Sequence, residues 1–270
     1  MPLNAGFTCP NIDGTIGTGG CAYCNNVSFS PVAEIKIPVE EQLENGISSL
    51  VAHNKNAEEI GILAYFQSFT NTYAPAPVLK EIFTPVLKNQ TVAGIAIGTR
   101  PDCLPKETLS LLAELNEIKP VIVEIGVQSA NDKTLKYINR GHTAECTRNV
   151  AALCKNLDLA ITAHIIIGLP NETASDFQNT ARLIKDCGFS AVKIHPLHIV
   201  KNTRFAKEYA EGKIKLLTME EYCRAVAGVI EILSPEVAID RVSGESSSDL
   251  LIAPSWSGNR EAIKSFLFGI

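Results

Sequence analysis

The chain has no run of about 18 or more apolar residues, and its opening "MPLNAGFTCPN" lacks a basic stretch followed by an apolar one. These absences argue against a membrane span and a secretory leader, and the expectation is a cytoplasmic protein. Positive charge is not in excess either: 24 Lys and Arg against 29 Asp and Glu leave a net charge of −5. Broad nonspecific attraction to nucleic acid or anionic membrane is therefore not expected, although a local basic patch remains open. With 46% hydrophobic and 20% charged residues, the composition is neither low-complexity nor disordered. At 270 residues one barrel-sized α/β domain fits the length.

What the chain does have is a recurring unit. Short apolar, β-branched runs occur at "EIGILAYF" (59–66), "VAGIAIGT" (92–99), "VIVEIGVQ" (121–128), "AITAHIIIG" (160–168) and "AVKIHPL" (191–197). Such runs suit strands buried on both faces of a parallel sheet. Amphipathic segments alternate with them: "PVEEQLENGISSLVAHN", "APVLKEIFTPVLKNQ", "LPKETLSLLAELNEI", "TAECTRNVAALCKNL" and "TASDFQNTARLIKDCG". Start signals at Pro38 and Thr143 and a stop at Gly188 mark them as helices. A short first strand is expected just before Cys9, and another at "EVAIDRV" (236–242). Five clear strands are too few for a closed eight-stranded barrel. The fold class is α/β: a partial (open) TIM-type (βα)6 barrel with a short C-terminal extension, functional at the C-terminal ends of its strands. Residues 1–235 would form the core, and 236–270 a closing strand, a Ser/Gly-rich loop and a helix.

Three of the eight cysteines fall in "CPNIDGTIGTGGCAYC", spaced Cys9-x11-Cys21-x2-Cys24. In a reducing compartment this cluster points to metal or redox chemistry rather than disulfides. A zinc ribbon would need a second Cys-x2-Cys, which is absent. Three thiolates with no histidine nearby are one ligand short of a closed site, so a [4Fe–4S] cluster held this way keeps one iron open. Gly14, Gly17, Gly19 and Gly20 make the loop pliable enough to return Cys9 to the pair. No Lys-Ser/Thr follows these glycines, so a phosphate loop is not indicated. Cys103, Cys146, Cys154, Cys187 and Cys223 read as small buried hydrophobes.

The loop resembles the cluster-binding loop of radical S-adenosylmethionine (SAM) enzymes, and the resemblance extends over nearly the whole chain. "NAGFTCPNIDGTIGTGGCAYCNN", "YFQSFTNTYAP", "IGTRPDCLP", "VEIGVQSANDKTL", "NRGHT", "HIIIGLPNET", "KIHPLHIVKNT" and "APSW" are similar to a branch related to the radical SAM domain of the Elongator catalytic subunit. The superfamily's commonest loop is Cys-x3-Cys-x2-Cys, so the x11 interval here is a departure at the first ligand. The resemblance implies an enzyme in which Cys9, Cys21 and Cys24 hold a [4Fe–4S] cluster whose open iron binds SAM. Reductive cleavage then yields a 5′-deoxyadenosyl radical. It also implies an electron donor such as flavodoxin or ferredoxin, and no membrane partner. By analogy the substrate is a tRNA base, with tRNA as partner; a small metabolite, a protein side chain, or a noncatalytic metal-binding module are the alternatives.

Alternation puts Glu124, Gly126 and Gln128 on one strand face. A carboxylate there needs a cation or donor: by resemblance the SAM ammonium or ribose, otherwise an ion pair with Arg100 or Arg140. Many superfamily members carry Gly-Gly-Glu where this chain has "YFQSFTNTY", so Gln67 and Ser68 would supply the polar contact to the methionyl end. By resemblance "HIIIGLP" packs on adenine, with Gly168 allowing close backbone approach; His164 is either part of that contact or a core histidine. Lys193 and His195 share a strand face and, with Lys201, Arg140 and Arg204, are the candidate substrate residues; His142, His198 and Arg241 would extend a basic rim.

Overall fold

The structure, a computed structural model, describes residues 1–53, 61–233, 235–244 and 246–269. Seven parallel strands form one curled half-barrel sheet: β1 (Pro2–Leu3), β2 (Ile62–Phe66), β3 (Val92–Thr99), β4 (Val121–Gln128), β5 (Ala160–Ile167), β6 (Ala191–Pro196) and, after β7 (Ile199–Val200), β8 (Ala238–Arg241). The order is sequential, β1-β2-β3-β4-β5-β6-β8, as short right-handed βα crossovers dictate. β7 pairs antiparallel with β9 (Leu251–Ala253) outside this sheet. The helices are α1 (Val39–His53), α2 (Ala76–Lys88), α3 (Lys106–Asn116), α4 (Asp132–Tyr137), α5 (Ala144–Asn156), α6 (Ala174–Asp186), α7 (Arg204–Ala210), α8 (Met219–Leu233) and α9 (Arg260–Phe268). Among the described residues none is long and apolar enough to cross a membrane.

The strands run on from one apolar residue to the next because both faces are covered. Val123, Ile125 and Val127 of β4, Ile161, Ala163 and Ile165 of β5, and Val192 and Ile194 of β6 face the helices in one large core. Each such side chain contributes roughly 1.5–3 kcal/mol on burial. The alternate residues, Glu124 and Gly126, His164, and Lys193 and His195, are therefore left to the concave face. Helix starts follow the capping chemistry of the sequence. The Thr143 hydroxyl accepts from the Cys146 amide, and Thr173 with Asp176 forms a capping box on α6. Gly188 closes α6 at φ +73°.

Two boundaries differ from the sequence reading. The first strand is Pro2–Leu3 rather than the residues adjoining Cys9. Asn4 ends it: its side-chain amide donates to the carbonyls of Val32, Ala33 and Ile35, and its Oδ1 accepts from the Gly6 amide, turning the chain away. The second strand is Ile62–Phe66; Glu59 and Ile60, like Asn54 of the first helical segment and Glu245 of the Ser/Gly-rich loop, lie outside the described residues.

Candidate active site

A cavity of about 970 Å³ opens at the C-terminal ends of the strands. Cys9, Cys21 and Cys24 all line it. The eleven intervening residues between the first two form a small hairpin, closed by an antiparallel bridge between Asp13 and Thr18 and by a Gly20 amide bond to Asn11 oxygen of 2.8 Å. Gly14, Gly19 and Gly20 take left-handed φ of +94°, +78° and +73°, which this hairpin requires. The loop is then fastened to the barrel: the Ala22 amide donates to Ile138 oxygen at 2.9 Å, and Asn139 Nδ2 to Gly20 oxygen at 2.8 Å.

Donors surround the sulfurs. Arg140 Nη1 lies 3.5 Å from Cys21 Sγ and Arg100 Nη1 4.0 Å from Cys9 Sγ; both guanidinium groups are buried. Asn11 Nδ2 is 3.5 Å from Cys21 Sγ and Asn26 Nδ2 3.8 Å from Cys24 Sγ. Arg100 is fixed by both oxygens of Asp102, at 2.9 and 2.8 Å, and donates to Arg140 oxygen at 2.6 Å. Arg140 donates to Gly126 oxygen at 2.8 Å and to His142 Nε2 at 3.0 Å. Burial, with the neighbouring Cys21, pushes the Cys24 thiol up to about 12, against the pull of Arg140.

This donor set fits a polynuclear cluster. Three thiols distributed round one cavity wall, with two guanidinium groups and two amides at their sulfurs, suit an anionic cluster in which each thiolate has its own iron. Of the remaining cysteines, Cys103, Cys154 and Cys223 are buried as read, whereas Cys146 and Cys187 are half-buried.

With that geometry in place, the comparisons with known proteins are decisive for the family. Residues 12–184 match the radical SAM superfamily, and residues 189–266 the radical SAM C-terminal domain. The chain belongs to the radical SAM superfamily. It is therefore an enzyme of the [4Fe–4S] and SAM type. It is 37% identical over 261 residues to protein YhcC of Escherichia coli (strain K12), a match covering 96% of this chain and 82% of that one. It is 24% identical over 164 residues to a tRNA uridine(34) acetyltransferase of Methanocaldococcus jannaschii, covering 58% of this chain and 29% of that one. Among solved structures it superimposes on the archaeal Methanocaldococcus infernus Elp3 with N-terminus deletion (1–46), with a TM-score of 0.70 and 19% identity, covering 98% of this chain and 61% of that one. This last likeness shows the fold.

Beyond the cysteines, the radical SAM chain brings some of the expected residues together and not others. Gln67, Glu124, Gln128, His164, His195 and Arg140 line the cavity. Glu124 does not pair with Arg100 or Arg140. Its Oε2 meets His164 Nε2 at 2.7 Å and its Oε1 meets Lys193 Nζ. Burial pushes the Glu124 carboxyl up, but the His164 hydrogen bond and charge, then Lys193, outweigh it and hold it at about 2. Lys193 is thus occupied within the protein, its ammonium also lying 4.7 Å from the Tyr65 ring centre. Ser68 is turned away and bonded to the Ser30 hydroxyl at 2.8 Å. Gly168 lies outside the cavity against Leu217 and Leu197. Lys201 is exposed, and Arg204 pairs with Glu208 at 3.1 Å beside the Tyr137 ring; neither lines the cavity.

Sequence reasoning did not single out Thr70, Asn11 or Asn26. Thr70 is buried, lines the cavity, and its hydroxyl has no hydrogen-bond partner. Its nearness to the strand end was the available signal.

Proposed function

We propose that Cys9, Cys21 and Cys24 hold the [4Fe–4S] cluster of this radical SAM enzyme, and that SAM occupies the cavity between the cysteine loop and β4–β5. When bound, the cluster supplies the electron that cleaves SAM to methionine and a 5′-deoxyadenosyl radical. The observation that carries the reading is the placing of three thiols, two of them beside buried guanidinium groups, in the wall of one strand-end cavity. Arg100 and Arg140 offset the negative charge of the thiolates. Gln67, Gln128 and the Thr70 hydroxyl offer polar contacts to SAM, and Glu124 has acceptor lone pairs left after binding His164 and Lys193. Gly126 lets the β4 backbone approach the Arg140 guanidinium, since a Cβ there would lie 2.4 Å from Arg140 Nη2.

For the substrate, similarity to a tRNA-modifying relative supports a tRNA base. The geometry favours a second reading, a small metabolite or a side chain: Lys193 is paired, Arg140 is buried, and Lys201 and Arg204 lie off the cavity, so these cations do not form one basic rim. Flavodoxin or ferredoxin is the donor class to try. Free thiols at all eight cysteines support a reducing, cytoplasmic setting. Residues 1–235 carry the core in this reading, with 236–270 closing it. The test is anaerobic reconstitution followed by SAM cleavage with and without total tRNA. Appearance of 5′-deoxyadenosine supports the enzyme, and a tRNA-dependent rise, with tRNA binding that weakens as salt is added, supports the first substrate reading. No cleavage by iron-loaded, reduced protein would remove the proposal.

A further inference from the structure

The end of the cavity beside β6 and β8 carries a cation, Arg241, that has no ion pair among the described residues. Parallel pairing sets Gly126 opposite His164, His164 opposite Lys193, and Lys193 opposite Arg241, one register level across four strands. Glu124 and Lys193 cancel each other as an ion pair. Arg241 lines the same cavity and makes no ion pair among the described residues. β8 is also the edge of the sheet opposite β1, the strand that leads into the cysteine loop.

Two imidazoles share this end. His195 and His198 both line the cavity, the His195 ring stacks on His164 with centres 5.4 Å apart, and His198 Nε2 is buried without a hydrogen-bond partner. Burial holds His195 well below the usual imidazole range and His198 at about 4, so both are neutral and each carries one N–H to donate. Gly244, after β8, lies against the His195 ring: a Cβ there would lie 2.4 Å from its Nδ1.

We propose that Arg241, His195 and His198 bind one oxyanion of the substrate, a carboxylate or a phosphate. The inference rests on reading this cavity as the reaction chamber. A cationic group here would face the Arg241 guanidinium, and an apolar one would leave Arg241 and His198 Nε2 desolvated and unmet. An oxyanion satisfies both, taking the guanidinium fork and imidazole donors together. The cluster end has its own guanidinium groups in Arg100 and Arg140, so the two ends divide the cavity between two anionic partners.

The chain has five histidines, which makes ring-resonance NMR selective. Cluster-loaded protein, kept in its diamagnetic oxidised state, is titrated with inorganic phosphate and separately with acetate at constant pH and ionic strength. Saturable shifts at His195 and His198, with His53 and His142 unmoved, are expected. Arg241→Gln should weaken the response about tenfold or more, the factor carried by a charge-assisted hydrogen bond. Arg241→Lys should retain it at lower affinity. The tighter of the two probes identifies the oxyanion as phosphate or carboxylate. Unmoved His195 and His198 resonances, or an unaltered titration in Arg241→Gln, would overturn the proposal. Iron and sulfide measured on the same sample separate this outcome from failure of the cluster assignment.

Discussion

Replacing Lys193 with methionine removes the ammonium from one oxygen of Glu124 and leaves a carboxylate that is 3% exposed with His164 and the Tyr65 hydroxyl as its partners. The folded carboxyl sits at about 2 against an ordinary value of 4.5, a drop worth about 3 kcal/mol at neutral pH. Because the folded value is the lower one, this contribution is complete above about pH 5 and is lost as pH falls through 4.5 toward 2. His164 supplies part of it, so Lys193→Met should cost about 2–3 kcal/mol, in keeping with breaking a largely buried pair from one side. Glu124→Gln should cost a similar amount by leaving Lys193 unpaired. The double variant should recover much of the loss, with a coupling energy of about 2 kcal/mol. The assay is urea unfolding at neutral pH followed by fluorescence of Trp256, the chain's one tryptophan. Additive single-variant losses, with coupling below about 0.5 kcal/mol, would refute the pairing as an energetic unit.

Three further outcomes follow from the same geometry. Cys9→Ser, Cys21→Ser and Cys24→Ser should each lose the cluster by iron and sulfide assay, while Cys103→Ala, Cys146→Ala and Cys187→Ala keep it; retention by any of the first three would reassign that ligand. Gly126→Ala should destabilise the protein by about 1–3 kcal/mol and lower iron content, because its Cβ would lie 2.4 Å from Arg140 Nη2 and 2.7 Å from Gln128 Nε2; unfolding and iron assays on one preparation check both. Glu172 is pushed up to about 7 by burial, against hydrogen bonds from Ser129 and Thr134. Folding thus takes up a proton there, and stability falls as pH rises from 4.5 through about 7. Glu172→Gln should leave stability unchanged near pH 5 and raise it by about 2–3 kcal/mol near pH 8; equal pH profiles for the two proteins would contradict this.

The sheet was legible because parallel strands covered on both faces are written as unbroken β-branched runs, and their period of two placed Glu124, Gly126 and Gln128 together. The cavity receives Glu124 and Gln128 even though the β4–β5 register shifts between Gly126 and Gln128 and Gln128 takes a left-handed φ of +67°. Position relative to the superfamily's Gly-Gly-Glu stretch named Gln67 and Ser68 together, just past the end of β2, and the structure separates them. Phe69 takes φ +62°, so the chain turns, Ser68 meets Ser30, and Thr70 rather than Ser68 reaches the cavity. The partner of Glu124 was illegible for another reason. Lys193 lies 69 residues away, and only the cross-strand register brings it there, as it brings Arg241 beside Lys193. Lys201 and Arg204 follow a strand end in sequence, but Arg204 opens α7 and pairs within it to Glu208 at i+4. The cysteine triplet stood out by its spacing, whereas the guanidinium and amide donors at its sulfurs come from three different loops whose meeting no spacing announces.

The assignment of an open-iron cluster to Cys9, Cys21 and Cys24 is tested most directly by electron paramagnetic resonance of the anaerobically reconstituted, reduced protein before and after SAM is added. A reduced [4Fe–4S] signal that changes on SAM addition is expected, with no such signal when the three cysteines are replaced together. Stoichiometric zinc without iron or sulfide, or a cluster signal indifferent to SAM, would contradict it.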